Sequence, residues 1–361
     1  MIKTIGVLTG GGDSPGLNAV LRAVVKTAMI KYWYNVIGFK NGYKGLVLSN
    51  FIKFKPDDVS GILDKGGTIL GTSEEVDPFN FMLEKDGQVE YRDMSNRAIE
   101  NVKMFGIDCM VIIGGGKTIK SAWELSKKGL NVIGVPKTID NELPATEMSI
   151  GFMTAVETAT DAIDKLHSTA ESNHRVIILE VMGKEAGWIA IEAGIAGGAD
   201  VILIPEIPYD INRVAQKIME RKNVGKHFSI VVVAEGAKPK EDKTTPGGIS
   251  DESVDLYCTA GIGNKLAVEL ERITGIDTKV TVLGYLQRGG RPVPYDRILS
   301  TRYGVAAVEM AREGKFGVMV SLKGNEITYV PLEEAVKCFK TVPPQGELVN
   351  IARSVGVSFG D

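Results

Sequence analysis

The middle of the chain carries a short run of residues whose side chains could catalyse a reaction on a hydroxyl group. The run directly follows the apolar segment 131–135 and reads Pro136, Lys137, Thr138, Ile139, Asp140, Asn141, Glu142. Asp140 can accept a proton from a substrate hydroxyl, Thr138 can orient that carboxylate, and Lys137 can meet a polyanion. Because Asp and Asn are also common in solvated turns, the run alone indicates either a catalytic loop or an ordinary turn.

The place of this run in the chain favours a ligand-binding loop. Residues 131–135 are predicted to form a buried strand, and Pro136 is expected to end its ladder because proline has no N–H to donate. Open α/β sheets bind ligands beyond the carboxyl ends of their strands. We therefore expect residues 136–142 at that edge of a sheet.

Strand-like and helix-like segments alternate along almost the whole chain, which is typical of parallel sheets covered by helices. The predicted strands are 5–8, 35–39, 108–113, 131–135, 175–181, 201–204, 228–234, 279–283, 318–322 and 327–330. The predicted helices include 18–30, 93–105, one ending near 128, 253–273 and 295–312, and a surface loop is predicted for 237–250. The pattern restarts at Gly151, so a second sheet is expected there. The fold class is α/β.

Composition and length exclude several other classes of protein. The chain has 361 residues, which suits roughly two domains of ordinary size. The net charge of -3 argues against a general binder of nucleic acids or membrane surfaces. Cys109, Cys258 and Cys338 are far apart, so neither a disulfide framework nor a zinc site is indicated. No signal peptide or membrane-spanning stretch is recognised, and the cytoplasm is the expected location.

Glycine-rich turns between a strand and a helix suggest phosphate binding, because bare N–H groups and the positive helix end face the anion. The turn 9–16 is not a dinucleotide fingerprint, since Gly10 and Gly12 would require a glycine where Pro15 stands. Residues 114–118 end in Gly-Lys-Thr, but a P-loop would need glycine at Val111. Two common nucleotide-binding motifs are thereby excluded.

Five strand ends carry such loops, at 9–16, 114–118, 136–142, 182–187 and 284–291. Three of these loops hold a cation that could meet phosphate, namely Lys117, Lys184 and Arg288, and a fourth holds Lys137 beside a carboxylate. Phosphoryl transfer needs this inventory of backbone donors, positive charge and one base for the acceptor hydroxyl.

Five longer segments stand out, IGVLTGGGDSPGLN (5–18), PKTIDN (136–141), EVMG (180–183), LGYLQRGG (283–290) and PVPYDR (292–297). These segments resemble the phosphofructokinase family, the sugar-phosphate kinases of glycolysis, and the match continues in order from residue 2 to the end. The closing segments 340–344 and 356–360 are similar to the mixed-donor bacterial branch, whose members use ATP or pyrophosphate.

The resemblance implies two Rossmann-like three-layer α/β/α domains with the active site between them, in a homodimer or homotetramer that shares active sites. A donor-phosphate domain is expected at 1–151 plus 287–337, and a sugar-phosphate domain at 152–286 plus 338–361. The implied reaction is that of 6-phosphofructokinase, which transfers a phosphoryl group from ATP to the 1-hydroxyl of fructose 6-phosphate with Mg²⁺ as cofactor.

The resemblance also implies roles for individual residues. Asp140 would be the base, with Thr138 beside it. The groups expected at the donor phosphates are Gly11, Glu74, Gly116, Lys117, Thr118 and Lys137. Those expected at the sugar phosphate are Thr138, Asp140, Arg175, Met182, Gly183, Lys184, Glu235, Lys279, Tyr285 and Arg288. Of these, Arg175 and Lys279 would reach the 6-phosphate from a neighbouring subunit.

The sequence departs from the family pattern mainly in the donor half. Gly116 stands where an acidic residue helps to hold Mg²⁺, so no metal ligand is assigned. Lys117 follows, where glycine usually signals ATP and aspartate pyrophosphate. Glu74 stands where an arginine normally bridges the two substrates, and its charge would repel phosphate if it points inward. Further replacements are Glu142 for aspartate, Lys184 for arginine and Met153 for aspartate.

Three hypotheses follow. The first is an active 6-phosphofructokinase that uses ATP, with pyrophosphate as the alternative donor. The second is a paralogue that binds sugar phosphate but transfers phosphate poorly, which Glu74 and Gly116 favour. The third is a kinase for another sugar or sugar phosphate, since Met153 and Tyr285 would reshape the acceptor pocket.

Overall fold

The computed structural model describes residues 2–74, 76–85, 88–240 and 261–361. These residues form two compact units, each made of two stretches of chain. Unit 1 comprises residues 1–154 and 288–339, and unit 2 comprises residues 155–287 and 340–361. Each unit contains a largely parallel sheet, so the predicted α/β fold with a second sheet is confirmed.

The strands are β1 Thr4–Thr9, β2 Asn35–Phe39, β3 Phe51–Lys53, β4 Phe81–Lys85, β5 Gln88–Arg92, β6 Cys109–Gly114, β7 Val132–Pro136, β8 Val176–Val181, β9 Val201–Leu203, β10 Ser229–Ala234, β11 Thr278–Val282, β12 Val318–Lys323 and β13 Glu326–Pro331. The α-helices are α1 Leu17–Lys26, α2 Tyr43–Leu48, α3 Ser95–Met104, α4 Gly116–Lys127, α5 Phe152–Asn173, α6 Trp188–Ala196, α7 Ile211–Asn223, α8 Ile262–Thr274, α9 Pro294–Arg312 and α10 Glu347–Ser354.

The sheet of unit 1 has seven strands in the order β13-β12-β7-β6-β1-β2-β3. Its five inner strands are parallel, and the two edge strands are antiparallel to their neighbours. Every residue of β1, β6 and β7 is buried, as expected for continuous apolar runs covered on both faces. On β1, Val7 packs against the cluster that includes α1 and α9, whereas Leu8 packs against the cluster of α3 and α4.

The sheet of unit 2 has four parallel strands in the order β11-β8-β10-β9. Its two central strands, β8 and β10, are buried throughout. Apolar residues of α7 and α8 complete a core with β8, β9 and β10. The valine- and isoleucine-rich sequences of these strands suit a sheet interior, because β-branched side chains pack well on a pleated surface.

Most predicted elements are present, with shifts of a few residues at their ends. The helix predicted for 18–30 is an α-helix only as far as Lys26 and continues as a π-helix over Thr27–Lys31. Pro136 is the last residue of β7, where it still accepts the N–H of Ile150 at 3.2 Å. Proline has no N–H to donate, but its carbonyl can still accept, so it can form the last residue of a strand.

Several elements were missed on sequence grounds. They are β3, the hairpin of β4 and β5, and the helices α2, α7 and α10. The edge elements bury too few side chains to show a clear period in the sequence. The helix predicted for 253–273 is described only from residue 262, and the loop predicted for 237–250 only to residue 240; their remaining parts lie outside the described residues. Among the helices that are described, none has the length and apolar character needed to cross a membrane.

Candidate active site

Three neighbouring strands of unit 1 bring the expected donor-side loops together. β1, β6 and β7 are adjacent and parallel, so the segments after them leave the same edge of the sheet. The N–H of Gly10 donates to the carbonyl of Ile113 at 2.8 Å, and the N–H of Lys137 donates to the carbonyl of Gly114 at 3.0 Å. The glycine-rich turn 9–16, called the glycine turn, thus lies beside the start of α4 and beside residues 136–142, called the polar run.

Thr118 explains why two of these turns need glycine. A Cβ atom on Gly10 would lie 2.6 Å from Cγ2 of Thr118, and one on Gly114 would lie 2.4 Å from the same atom. Thr118 is 5% exposed, and its carbonyl accepts the hydroxyl of Tyr43 at 2.8 Å. The side chain expected at the donor phosphates is therefore a buried packing group between two turns.

Helix α4 begins earlier than predicted. Residues 114–118 were interpreted as a loop before the helix, but α4 already includes Gly116, Lys117 and Thr118. Its first turn contains no acidic residue, and no side chain of the described residues caps its N–H groups. Such an end carries unsatisfied donors and partial positive charge, which favour an anion. The side chain of Lys117 is exposed beside it.

Lys137 is a buried cation directly under the glycine turn. Its side chain is 4% exposed, and its ammonium donates to the carbonyl of Gly12. Burial lowers the pKa of Lys137 to about 8, while the carboxylate of Glu142 acts in the opposite direction and the guanidinium of Arg288 lowers it further. A charged lysine held here without full solvation provides strong attraction for phosphate oxygens.

Two carboxyl groups of the polar run are linked to each other. The hydroxyl of Thr138 donates to Oε2 of Glu142 at 3.0 Å and accepts the backbone N–H of Asp140 at 3.2 Å. Burial raises the pKa of Glu142, whereas hydrogen bonds from Thr138 and Asp140 and the charge of Lys137 lower it. The Thr138 hydroxyl thus joins Glu142 to the backbone of Asp140, and Asp140 and Glu142 are called the carboxyl pair below.

Thr138 lies beside Asp140, as the resemblance implies, and its role toward the Asp140 carboxylate stays a prediction. Its hydroxyl has one hydrogen, which it donates to Glu142. The reason is the tight turn, in which Asn141 has a φ of 51° and its side chain accepts the N–H of Ser149 at 3.0 Å. This turn brings the fourth residue back over Thr138.

Glu74 and Arg288 form an ion pair in unit 1, with 2.7 Å between Oε1 and Nη1. The sequence resemblance implies different ligands for these two residues, the donor phosphates for Glu74 and the sugar phosphate for Arg288. Gly11, whose N–H was expected to face the donor phosphates, donates it here to the carbonyl of Ser73 at 3.2 Å. Residues 73 and 74 therefore contact both the N–H of Gly11 and the guanidinium of Arg288.

In unit 2, several expected sugar-phosphate residues meet at the carboxyl edge of the sheet. Met182, Gly183 and Lys184 follow β8, Glu235 follows β10, and Tyr285 follows β11. The N–H of Glu235 donates to the carbonyl of Val181 at 2.9 Å, and Gly236 donates to Gly183 at 3.1 Å. Position 183 favours glycine because its φ is 133°, a value that other residues rarely adopt.

Arg175 and Lys279 lie elsewhere in unit 2. Arg175 precedes the first residue of β8, and Lys279 is the second residue of β11. Both pair with Asp277, at 3.0 Å and 2.5 Å. A strand of six residues spans about 20 Å, so these cations lie at the amino edge, far from Met182 of the same copy.

Two positioning residues were missed on sequence grounds. Asn18 donates to the carbonyls of Lys65 and Gly66, both at 3.1 Å, and accepts the N–H of Ile69 at 2.8 Å. Glu180, buried in β8, accepts the N–H of Gly263 at 2.7 Å, and burial raises the pKa of its carboxyl group. A polar residue within an apolar run is the sequence signal that indicates such a role.

The described residues contain no cluster of three or more histidine, cysteine, aspartate or glutamate side chains that could hold a metal ion. Gly116 has no side chain and therefore no side-chain oxygen that could bind a metal. The oxygen donors of unit 1 therefore fit a metal that is held mainly by phosphate oxygens of a ligand, which is a usual arrangement for Mg²⁺.

A parallel sheet whose carboxyl edge carries a glycine turn, an open helix start and a buried lysine is typical of α/β proteins that bind ligands with phosphate groups. The model of the family described as phosphofructokinase matches residues 4–311. The chain belongs to the phosphofructokinase family, so the resemblance seen in the sequence is confirmed.

Individual relatives agree with this assignment. The chain is 55% identical to ATP-dependent 6-phosphofructokinase 2 of Clostridium perfringens, covering 100% of this chain and 99% of that protein. It matches the structure of phosphofructokinase from Saccharomyces cerevisiae with a TM-score of 0.77 and 32% identity, over 93% of this chain but 45% of that one. A pyrophosphate-dependent phosphofructokinase from Marinobacter aquaeolei matches with a TM-score of 0.78 and 25% identity, and the match covers 99% of this chain and 88% of that one.

Proposed function

We propose that this chain is an ATP-dependent 6-phosphofructokinase that phosphorylates the 1-hydroxyl of D-fructose 6-phosphate in glycolysis, and that it acts in the cytoplasm. The 55% identity to an enzyme of that name over the full length supports the proposal. The observation that carries it is the carboxyl pair of Asp140 and Glu142 beside the buried ammonium of Lys137.

In this proposal Asp140 takes the proton of the attacking hydroxyl. Its partner Glu142 accepts the Thr138 hydroxyl, which in turn accepts the backbone N–H of Asp140, and these two bonds fix the turn that carries Asp140. The base is needed late, because phosphoryl transfer has a loose transition state and the hydroxyl becomes acidic as the new bond forms. Removing the base therefore slows the reaction more than it weakens binding.

The donor phosphates would meet positive charge from two sources in unit 1. Lys137 supplies a desolvated cation, and the first turn of α4 supplies free N–H groups next to Lys117. Developing negative charge on the transferred group is stabilised by such preorganised donors. Unit 1 is accordingly assigned to the donor, and unit 2, with Met182 and Glu235 at its sheet edge, to the sugar phosphate.

Mg²⁺ is proposed as the cofactor. It would arrive on the donor phosphates and neutralise part of their charge. Because Asp140 is assigned as the base and Glu142 accepts the Thr138 hydroxyl, no side chain of the polar run is assigned to the metal. The missing side chain at Gly116 predicts weaker metal binding than in relatives that have an acidic residue there.

A second copy of the chain is proposed to complete the sugar-phosphate site. Arg175 and Lys279 lie at the amino edge of their sheet, while Met182 and Glu235 lie at the carboxyl edge. Within one copy of unit 2 the two groups cannot contact the same phosphate. Donation of the two cations by a neighbouring subunit, in a homodimer or homotetramer, resolves this separation.

Pyrophosphate is the alternative donor. The buried Lys137 can bind any diphosphate, and the chain matches a solved structure described as pyrophosphate-dependent. Steady-state assays with fructose 6-phosphate, Mg²⁺ and either ATP or pyrophosphate test the choice. Turnover with ATP at least tenfold above that with pyrophosphate is expected, and the reverse ratio would assign pyrophosphate.

The same assays separate the two other hypotheses. Binding of fructose 6-phosphate without turnover on either donor would identify a non-catalytic paralogue, as Glu74 and Gly116 suggest. A clear preference for another sugar in a substrate panel would assign a different kinase, in which Met153 and Tyr285 shape the acceptor pocket.

A further inference from the structure

One short segment of unit 1 contacts two groups that the proposed function assigns to phosphates. Oε1 of Glu74 lies 2.7 Å from Nη1 of Arg288, which is 214 residues away in the sequence. The neighbouring carbonyl of Ser73 accepts the N–H of Gly11 at 3.2 Å. The hydroxyl of Thr72 donates to the carbonyl of Gly11 at 2.5 Å. Residues 72–74 are thus attached to the glycine turn and to Arg288 together.

The ion pair lies directly on the backbone of the glycine turn. A Cβ atom on Gly12 would lie 2.7 Å from both Nη1 of Arg288 and Oε1 of Glu74. A side chain at this position would push the two charges off the turn, so glycine permits the contact. The pair therefore lies against the glycine turn and is not an incidental contact of two distant surface side chains.

The exposure of the two side chains shows which partner a dissolved anion can replace. The side chain of Arg288 is 23% exposed, whereas that of Glu74 is 53% exposed. The guanidinium is mostly covered, whereas the carboxylate is about half exposed and free to move away from it. An anion that binds Nη1 of Arg288 must displace the carboxylate that now contacts this atom.

Carboxylates and phosphates are interchangeable ligands for a guanidinium, and carbonyl and phosphate oxygens are interchangeable acceptors for a backbone N–H. We propose that residues 72–74 are a built-in competitor of both substrates, with the Glu74 carboxylate occupying the phosphate position on Arg288 and the Ser73 carbonyl occupying the one on Gly11. This inference rests on the proposed function, because it takes the ligand on Arg288 to be a sugar phosphate.

Residues 72–74 link the binding of the two substrates. Either ligand has to move the same three residues, so the first to bind removes part of the cost for the second. The two affinities are then coupled, and the coupling is the same in both directions. Glu74 also disfavours ligands without a dianionic group, because a singly charged anion gains less from the arginine when it displaces the carboxylate.

The test is the variant Glu74→Gln, which keeps the size of the side chain and removes its charge. Its control is Glu90→Gln, since Glu90 is also an exposed carboxylate, 2.7 Å from an arginine, Arg92, on the hairpin of β4 and β5. The KM for fructose 6-phosphate is measured at several fixed ATP concentrations for both variants and the wild-type chain. Calorimetric titration with fructose 6-phosphate, and with inorganic phosphate as a second probe, is performed without donor.

In Glu74→Gln we expect the KM and the calorimetric dissociation constant for fructose 6-phosphate to fall by about twofold to fivefold, the range of a partly exposed ion pair. The dependence of that KM on ATP should also weaken, while Glu90→Gln behaves like wild type. Unchanged or weaker binding in Glu74→Gln would overturn the inference, as would binding of neither probe to any chain. Absence of turnover in all chains would instead count against the proposed function, and the calorimetric ratio would still decide the role of Glu74.

Discussion

The activity of this chain is expected to fall steeply at alkaline pH, because the cation beneath the glycine turn loses its proton there. Burial lowers the pKa of Lys137 from 10.5 to about 8. The ammonium is therefore charged below that pH and neutral above it. About nine tenths of the lysine is protonated one pH unit below its pKa and about one tenth is protonated one unit above it.

The size of the effect follows from that titration. Only the charged form attracts donor phosphates, so kcat/KM for ATP should fall about tenfold for each pH unit above about 8, since this parameter reports groups of the free enzyme. The assay is the pH profile of kcat/KM for ATP between about pH 6.5 and 9.5, at constant ionic strength and saturating fructose 6-phosphate.

Two variants identify the group responsible for the alkaline limb. Lys137→Met keeps the length of the side chain without its charge, so kcat/KM should be low already at neutral pH and should not fall again above pH 8. Lys117→Met removes the exposed cation in the first turn of α4 and should retain the limb. A wild-type profile that stays flat to pH 9.5, or a limb that persists in Lys137→Met, would refute the reasoning.

Two further predictions concern the base and the metal. Asp140→Ser should lower kcat by about 10² to 10⁴ while the binding of fructose 6-phosphate changes little, and near-normal turnover would remove Asp140 from its role. The double variant Gly116→Asp with Lys117→Gly should strengthen Mg²⁺ dependence, seen as a lower Mg²⁺ concentration for half-maximal rate. Space exists for that side chain, since a Cβ on Gly116 would meet Leu143 only at 4.0 Å; an unchanged Mg²⁺ requirement would contradict the assignment of this position.

Much of the fold was predictable because its signals are local. The apolar runs of β1, β6 and β10 are short, buried on both faces and bounded by glycine or polar residues, which is the pattern of parallel strands. The position of Asp140 just past a strand could also be predicted, because the end of an apolar run is visible in the sequence. The edge hairpin was missed because every residue of β5 is exposed, so the strand shows no alternation of buried and exposed residues. Helix α7 does have an apolar face, formed by Val214, Ala215 and Ile218, and the sequence signal was overlooked.

The sequence by itself determined the family, the alternation of strands and helices, and the set of residues that could handle phosphate. The tertiary structure alone decided the partners of those residues. Thr138 bonds to Glu142 because a tight turn returns the chain, and Glu74 reaches Arg288 across 214 residues because two loops meet beside β1. Residue types and local spacing specify which groups are present, but the distance between two side chains depends on strand order and register, which no short stretch of sequence contains.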